Sequence, residues 1–318
     1  MEEIDKRVTV IVPVYNNYKG LFETLDSIFM QDYPDIELII IDDASVEVMQ
    51  YKEKVDSYVE KNRRENIKKY IFYIQKKNVG TVKNVNTAIG LSSGTYIKLL
   101  ASEDMLLSKQ TLSKYVTFSL KQGYEVIFAK MIGIDYEGKK TKHLSACAEN
   151  YMELQQMSAK EIEKKLYKCN FLPAPAAFFK KQIFQRFGLF IEDYRLVEDW
   201  PYWIHLSQNG VKFGYLDERL IYYRLSGDTS AKNYSQMFLE DEYKIVQNII
   251  IPNDRSYIKI IQRFVNWCKL NGVKFYMEKK SWSKVGIKGK IRLICKYFIF
   301  YVYVFLQDII FKVFKKKI

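Results

Sequence analysis

The sequence has few of the residues from which common metal and redox sites are built. Its 318 residues include four cysteines, which are far apart and lack metal-type spacing, and two histidines, His143 and His205. A zinc centre held by several histidines is therefore excluded unless other ligand types complete it. The cysteines show no disulfide-like pattern and are typical of reduced thiols in the cytosol.

The signatures of several enzyme and targeting classes are also missing. The start, MEEIDKR, is charged and has no apolar segment behind it, so we expect no secretory signal. No G-x-G-x-x-G follows the first predicted strand, which argues against a dinucleotide-dependent dehydrogenase, and there is no Walker lysine. GLSSG (90–94) matches G-x-S-x-G, but a helix precedes it and a strand follows, the reverse of the order that a hydrolase nucleophile needs.

Positive charge is concentrated at the C-terminal end. The net charge is +13, and residues 274–318 carry +10 of it, so nucleic acid is not expected to bind the body of the protein. Within this tail an apolar and aromatic run, 297–306, is too short for a spanning helix of about 20 residues. We expect an interfacial helix on an anionic membrane surface, which places the protein in the cytoplasm, peripheral on the inner face of the cell membrane. A short span, and a helix used for packing or oligomer formation, are the alternatives.

The first hundred residues alternate between strand and helix patterns. The predicted helices cover about 18–31, 46–65 and 82–91, and the predicted strands cover 8–15, 36–42, 69–75 and 95–101. Two of the strands, VTVIVPVY and IELIIID, are almost continuously apolar, as expected when both faces of a sheet are covered. The pattern predicts an α/β fold with a Rossmann-like, mostly parallel sheet flanked by helices. Ligands of such sheets bind beyond the carboxyl ends of the strands.

Three pairs of adjacent acids are the strongest candidates for a functional site. Asp42–Asp43 and Glu103–Asp104 follow predicted strands, and Glu198–Asp199 lies in a segment rich in aromatic residues. A solvated turn is the ordinary interpretation of one such pair, but two of these three fall at strand ends of the same predicted sheet. Carboxylates gathered near a phosphate-bearing ligand need a cation between them, and oxygen ligands suit Mg²⁺ or Mn²⁺.

In this order and spacing, the motifs over about residues 7–230 resemble those of family 2 glycosyltransferases with the GT-A fold. DDAS (42–45) resembles the family's D-D-x-S, NVG (78–80) its N-x-G, and EDWPYW (198–203) its E-D-W-x-x-W. The resemblance implies an inverting enzyme that builds bacterial surface polysaccharide. Such an enzyme moves a sugar from a nucleotide-diphosphate sugar, here a UDP-sugar, to a hydroxyl of a saccharide or lipid-linked acceptor.

The resemblance also implies a division of the chain. It predicts a GT-A catalytic domain over 1–232, with a nucleotide-binding half of about 1–104 and an acceptor half of about 105–232. A helical C-terminal region, 233–318, follows and ends in the basic, aromatic tail.

Roles for individual residues follow from the same resemblance. Asp199 matches the general base, Glu198 orients the site or binds the acceptor, and Asp104 matches the position that faces Mg²⁺ or Mn²⁺. Acceptor stacking is expected from Trp200, Tyr202 and Trp203, although their helical spacing places at least one of them in the core. Donor binding is expected from Pro13, Val14, Tyr15, Asp42, Asp43, Asn78, Gly80, Asn86, Ser102 and Glu103.

Two positions depart from the family pattern. Ala101 stands where the first acid of the family's D-x-D is found, and Ser226 stands where a histidine often follows Tyr-Arg-x. These departures leave an inactive nucleotide-sugar-binding or scaffold subunit as the alternative. A nucleotidyltransferase would need a glycine-rich, basic phosphate loop after the first strand, and PVYNNYKG (13–20) does not resemble one.

Overall fold

The computed structural model of the chain describes residues 6–135, 137–140, 153–224 and 235–253. The chain divides into two compact units, Met1–Ser230 and Ala231–Ile318. Ser226 and the predicted membrane tail lie outside the described residues. Within the described ranges, no helix has the length and apolar character needed to cross a membrane.

Over the first hundred residues, strands and helices follow one another in the order that the sequence predicts. The strands are β1 (Val8–Val14), β2 (Ile36–Asp42), β3 (Ile67–Ile74), β4 (Tyr96–Leu99), β5 (Met105–Leu106), β6 (Val126–Ile134), β7 (Ala177–Lys180) and β8 (Phe213–Arg224). The helices are α1 (Leu21–Phe29), α2 (Val48–Asn62), α3 (Thr81–Leu91), α4 (Thr111–Gln122), α5 (Ala159–Leu166), α6 (Gln182–Phe187) and α7 (Asp199–Gln208). Over the first hundred residues, the predicted bounds differ from these by three residues at most.

One sheet of eight strands, in the order β3-β2-β1-β4-β7-β6-β8-β5, forms the centre of the first unit. Strands β3, β2, β1 and β4 run parallel, and the β1–β2 register extends from Val8 opposite Ile36 to Val14 opposite Asp42. Every residue of β2 is buried, as its apolar sequence predicts for a strand covered on both faces. The predicted α/β fold is confirmed, and the carboxyl ends of β1, β2 and β4 meet at one edge.

The second half of the sheet is mixed. Strand β7 runs antiparallel to both β4 and β6, and β5 runs antiparallel to β8. The sequence did not predict these pairings, because β7 has four residues and β5 has two, which is too short for a periodic pattern. The insertion of β7 brings the segment that precedes it, 167–176, towards the parallel half of the sheet.

Besides Asp42 at its carboxyl end, the apolar β2 strand contains one acidic residue, Glu37, which has no exposed surface. Its carboxylate accepts hydrogen bonds from Thr9 Oγ1 at 2.5 Å and from Ser93 N at 2.6 Å, and Lys69 Nζ lies 2.6 Å away. Burial alone would raise the pKa of Glu37, but Lys69, Thr9 and Ser93 together lower it to about 2. Glu37 thus ties the turn before β4 to the amino ends of β1 and β2, away from the candidate site.

In the second unit, the described residues are helical. Helix α8 (Gln236–Ile245) begins after Ser235, whose Oγ accepts a hydrogen bond from Phe238 N at 3.1 Å, as in an ordinary N-cap. A π-helical turn, Val246–Ile250, and a last turn, α9 (Ile251–Asn253), follow without a break.

Candidate active site

The Asp42 carboxylate organises the loop that follows β2. It is completely buried and accepts hydrogen bonds from Ser45 N at 2.7 Å, Ser45 Oγ at 2.6 Å and Tyr18 Oη at 2.6 Å. Both of its oxygens are therefore engaged within the protein. Ala44 and Glu47 have positive φ angles of 58° and 56°, which shows how tightly this loop turns.

The Asp43 carboxylate links the same loop to the start of α3. Its two oxygens accept hydrogen bonds from Val79 N at 2.7 Å and Gly80 N at 2.8 Å. Burial raises the pKa of Asp43, while the two backbone N–H groups oppose the rise because they stabilise the ionised carboxylate. Asp42 and Asp43 point to different partners, so each has its own hydrogen-bond donors to offset its burial.

The loop after β1 carries the most exposed of the predicted donor-binding residues. Tyr15 is 52% exposed, whereas Val14 is buried within the sheet and Pro13 is half-buried. Asn16 joins this loop to the loop after β2, because its N–H donates to Ser45 Oγ at 2.8 Å and its Oδ1 accepts from Val46 N at 2.8 Å. A ligand stacked on Tyr15 would lie against a fixed backbone.

The loops after β1 and β4 interlock. Ser102 Oγ donates to Asn17 O at 3.0 Å, and Asn17 Nδ2 donates to Glu103 Oε2 at 3.0 Å. A Cβ added at Gly20 would lie 2.8 Å from Glu103 Cα, so the two backbones are in direct contact. The predicted donor-binding residues Ser102 and Glu103 thus lie beside the β1 loop, with their side chains hydrogen-bonded to Asn17.

Asp104 is buried, and one of its oxygens has no hydrogen-bond partner among the described residues. Its side chain is 1% exposed; Oδ1 accepts from Arg224 N at 3.0 Å, and Oδ2 has no partner. Burial raises the pKa of Asp104 to about 7, and the Arg224 N–H opposes the rise. The Arg224 side chain donates to Glu103 O at 3.1 Å and pairs with Glu23 of α1, so the end of β8 holds this loop in place.

The free Oδ2 of Asp104 is compatible with a divalent cation. Cations such as Mg²⁺ are often held by one or two carboxylates, with phosphate oxygens and water completing the coordination. Within the described part of the chain, no cluster of three His, Cys, Asp or Glu residues could hold a metal by itself. Any metal here would therefore depend on oxygens from a ligand as well as on Asp104.

The start of helix α3 connects the loop after β2 with the segment that leads to Asp199. Arg195 Nη2 donates to Asn78 Oδ1 at 2.5 Å, and Arg195 O accepts from Val82 N at 3.2 Å. Gly80, with φ of +88°, lies under this segment, and a Cβ there would be 2.3 Å from Arg195 Cγ. No larger side chain fits between the two segments.

The prediction that Asn86 binds the donor is not supported by its surroundings. Asn86 is 3% exposed; its Nδ2 donates to Phe190 O at 2.9 Å and to Glu192 Oε1 at 3.1 Å. Its Oδ1 accepts from Phe190 N at 3.1 Å. Because the whole amide is used in joining α3 to the 188–192 segment, Asn86 is a structural residue in this arrangement.

Glu198 and Asp199 lie at the start of α7. Glu198 is the residue before the first helical turn, and Asp199 is the first residue of the helix. Asp199 Oδ1 accepts from Trp200 N at 2.6 Å, and Oδ2 accepts from Asn170 Nδ2 at 2.8 Å. Burial raises the pKa of Asp199, although Asn170 and the N–H groups of Trp200 and Ala174 favour its ionised form.

The three aromatic residues of α7 belong to the core, which corrects the prediction that they form a wall for an acceptor. Tyr202 and Trp203 have no exposed surface, and Trp200 is 7% exposed. The indole N–H groups of Trp200 and Trp203 donate to Leu166 O at 2.8 Å and Leu172 O at 3.1 Å. A buried ring cannot stack on a sugar, so Tyr202 and Trp203 act through packing.

Sequence reasoning missed four residues that shape this site. Ser45 could have been predicted, because it is the serine of the DDAS motif. Tyr18, Arg195 and Asn170 had no such signal, since each acts on a residue that is 24 to 117 positions away in the chain.

Comparison with known proteins gives one family. A family model described as "Glycosyl transferase family 2" matches residues 9–188. An uncharacterized glycosyltransferase of Methanocaldococcus jannaschii is 26% identical over 253 residues, covering 76% of this chain and 81% of that protein. The chain spans only about a third of the length of some other relatives.

Solved structures with similar folds are more distant in sequence. Staphylococcus aureus TarS 1–349 in complex with UDP-GlcNAc has a TM-score of 0.58 and 20% identity, over 92% of this chain and 80% of that one. The mannosyltransferase PcManGT from Pyrobaculum calidifontis, in complex with GDP-Man and Mn²⁺, has a TM-score of 0.61 and 15% identity, over 95% and 84%. At these identities the likeness shows the GT-A fold.

The contact between Gly80 and Arg195 can be tested by two substitutions in or beside α3. Gly80→Ala should lower the free energy of unfolding by about 1–3 kcal/mol from backbone strain alone, because its φ is reserved for glycine, and the clash with Arg195 adds to this. Gly90→Ala is the matched control, since a Cβ there meets nothing within 4 Å and alanine favours a helix, so stability should rise by about 0.5–1 kcal/mol. Urea unfolding measures both, and equal stability of the two variants would contradict the predicted contact.

Proposed function

The chain belongs to glycosyl transferase family 2, and we propose that it is an inverting enzyme that transfers a sugar from a UDP-sugar to an acceptor hydroxyl. The observation that carries the proposal is the set of interlocked loops at the carboxyl ends of β1, β2 and β4, where Asp42, Asp43 and Asp104 are buried. UDP is proposed because the TarS structure of similar fold contains UDP-GlcNAc. The acceptor is proposed to be a saccharide or lipid-linked saccharide of cell-surface polysaccharide synthesis.

The donor nucleoside is placed against the β1 loop. Tyr15 offers an exposed ring beside Pro13, and the loop of Asp42 and Asp43 forms the adjoining wall. Both carboxylates already accept hydrogen bonds from backbone N–H groups. Their proposed role in donor binding is therefore to fix the shape of this wall. Asn78 and Gly80 lie where Asp43 meets α3, and they form the other side of the donor site.

The diphosphate is placed towards Asp104. Charge accumulates on the leaving phosphate as the sugar is transferred, and a divalent cation bound with it would act as a Lewis acid there. Asp104 Oδ2 is the protein oxygen proposed to hold such a cation, with Glu103 beside it. Because Oδ2 is buried, Asp104 has to become exposed when the donor and the cation bind.

Asp199 is proposed to be the general base. It is partly exposed at the start of α7, and its pKa is raised, which suits a group that must accept a proton from an acceptor hydroxyl. Direct attack of the resulting nucleophile on the anomeric carbon displaces the nucleoside diphosphate and inverts the anomeric centre. Glu198 is proposed to hydrogen-bond the acceptor.

We assign donor binding to about 1–104 and acceptor binding to about 105–232.

The tail is proposed to bring the enzyme to its acceptor. Residues 291–314 supply apolar area, and basic residues on both sides supply attraction to anionic lipid at the inner face of the cell membrane. This assignment rests on the sequence, because the tail lies outside the described residues.

The base can be tested by Asp199→Asn. Sugar transfer should fall by about 10²–10⁴-fold, while donor affinity stays near that of the parent, because the base acts only in the chemical step. In the parent, transfer should rise with pH as Asp199 ionises, at a higher pH than for an ordinary aspartate because burial raises its pKa, and the variant should lose that rise. Transfer by the variant at the parent rate would remove Asp199 from this role.

The cation site can be tested by donor binding alone. Calorimetry with a UDP-sugar should show tighter binding in Mn²⁺ than in EDTA, and Asp104→Asn should remove most of that difference. Glu192→Gln, which alters an exposed carboxylate that pairs with Lys83, is the control and should bind like the parent. Equal affinity of the parent with and without Mn²⁺ would contradict the proposed site.

The tail can be tested by vesicle sedimentation of the full chain. Binding to anionic vesicles should exceed binding to neutral ones, and changing Lys315, Lys316 and Lys317 to Gln should weaken it roughly 10²-fold, at about 1 kcal/mol for each lysine. Turnover with a soluble acceptor should be unchanged. Equal binding to anionic and neutral vesicles would contradict an electrostatic role for the tail.

A further inference from the structure

Asn170 contacts the Asp199 carboxylate from a segment that the sequence motifs do not include. Its Nδ2 donates to Asp199 Oδ2 at 2.8 Å, while Trp200 N donates to Oδ1 at 2.6 Å. Each oxygen of the carboxylate is therefore held by a donor from a different part of the chain, one from α7 itself and one from the segment after α5. Two such bonds fix the rotation of the carboxylate about its Cβ–Cγ bond.

The orientation of the Asn170 amide follows from its partner. An ionised carboxylate can only accept hydrogen bonds, so the NH₂ end of the amide must face Asp199. The Oδ1 end is buried and accepts no hydrogen bond from any described residue. A buried amide oxygen without a partner costs free energy, so packing alone gives no reason for an asparagine at this position.

The segment that carries Asn170 is held by side chains from three neighbouring elements. It has little regular structure, so its carbonyl groups need other donors. Trp203 of α7 donates to Leu172 O within the segment, and Trp200 donates to the carbonyl oxygen of Leu166, the last residue of α5, just before it. On its other side, Tyr115 Oη of α4 donates to Ala176 O at 2.8 Å, and Lys98 Nζ of β4 donates to Ala177 O at 3.1 Å and to Pro175 O.

Lys98 is the one residue among these four donors with an ionisable amine. It has no exposed surface although it carries an ammonium group, and it donates hydrogen bonds to Pro175 O before β7 and to Ala177 O at the start of β7. Burial of a lysine in this way is costly, and it is offset where carbonyl oxygens surround the ammonium group. The segment that carries Asn170 is thus hydrogen-bonded to three neighbouring elements, and support of this kind is what a group that orients another side chain requires.

We propose that Asn170 is a positioning residue for the reaction, holding the Asp199 carboxylate so that one oxygen lone pair faces the acceptor hydroxyl. The role rests on the proposed function of Asp199 as the base. Asn170 does not touch the reacting atoms in this proposal; it acts through Asp199. Its hydrogen bond also favours the ionised form of Asp199, which is the form that can accept a proton.

The decisive variant is Asn170→Asp, which keeps the size of the side chain but places an oxygen against the carboxylate. The turnover number for transfer should fall by about 10- to 100-fold, and the KM values for donor and acceptor should change by less than about threefold. Asn170→Ala should also lower the turnover number. In an Asp199→Asn background, the change of Asn170 to Ala should lower transfer by less than about twofold, because the group through which it acts is already lost.

The exchanged pair, Asn170→Asp with Asp199→Asn, is the control for folding. It keeps one amide and one carboxylate in contact, so it should unfold like the parent and still lack transfer. In the unfolding equilibrium, the effects of Asn170→Asp and Asp199→Asn should be non-additive by about fivefold or more, and this coupling is measured without any assay of activity. Additive effects on unfolding would show that the two side chains are not in contact and would overturn the proposal.

Three kinetic outcomes would also overturn it. Parent-like turnover of Asn170→Asp removes the role, and a rise confined to the acceptor KM makes Asn170 an acceptor-binding residue instead. An equal loss in the Asp199→Asn background shows that Asn170 acts independently of Asp199. The proposed function fails separately, and this role with it, if the parent transfers no sugar or if Asp199→Asn alone leaves transfer unchanged.

Discussion

Burial of carboxylates at the end of a parallel sheet is the constraint on which the candidate site depends. Asp42 ends the fully buried β2 strand and Asp43 follows it, and both residues are almost completely shielded from water. An ionised group in such surroundings needs several hydrogen-bond donors, and the nearest ones are the N–H and O–H groups of the neighbouring loops. The loop after β2 and the start of α3 therefore take the conformations that aim their donors at these two carboxylates.

The same constraint acts again on the other side of the site, with a different result. Asp104 receives one backbone N–H, from Arg224, and its second oxygen stays without a partner among the described residues. Burial raises the pKa of Asp104, and the single N–H from Arg224 does not cancel that rise. Asp42 and Asp43 have hydrogen-bond donors within the protein for both of their oxygens, whereas Asp104 Oδ2 has none among the described residues. In the proposed function, the first two therefore shape the donor site and Asp104 binds in it.

Much of the fold and part of the site could be predicted from the sequence. Continuous apolar strands that alternate with amphipathic helices indicate a parallel sheet directly, and the acids at the ends of β2 and β4 follow from that sheet. The hydrogen bonds of Asn86 to the 188–192 segment could not be predicted, because a motif position does not reveal that a neighbouring segment uses the whole amide. The burial of Trp203 depends on β7 and the segment before it, and a strand of four residues has no periodicity from which to predict its place.

Lys98 shows why the second half of the site could not be read from motifs. A lysine in an apolar strand ordinarily suggests an edge or an exposed face, but here its ammonium group bonds to the carbonyls before β7. Burial lowers the pKa of Lys98 to about 7, and the negative charge of Asp104 opposes that change. One buried side chain therefore touches the segment that supports Asn170 and acts electrostatically on the carboxylate proposed to face the diphosphate. The hydrogen bonds of Lys98 to Pro175 O and Ala177 O exist because the antiparallel strand β7 lies beside β4, so the arrangement of the site depends on strand order as well as on the motif residues.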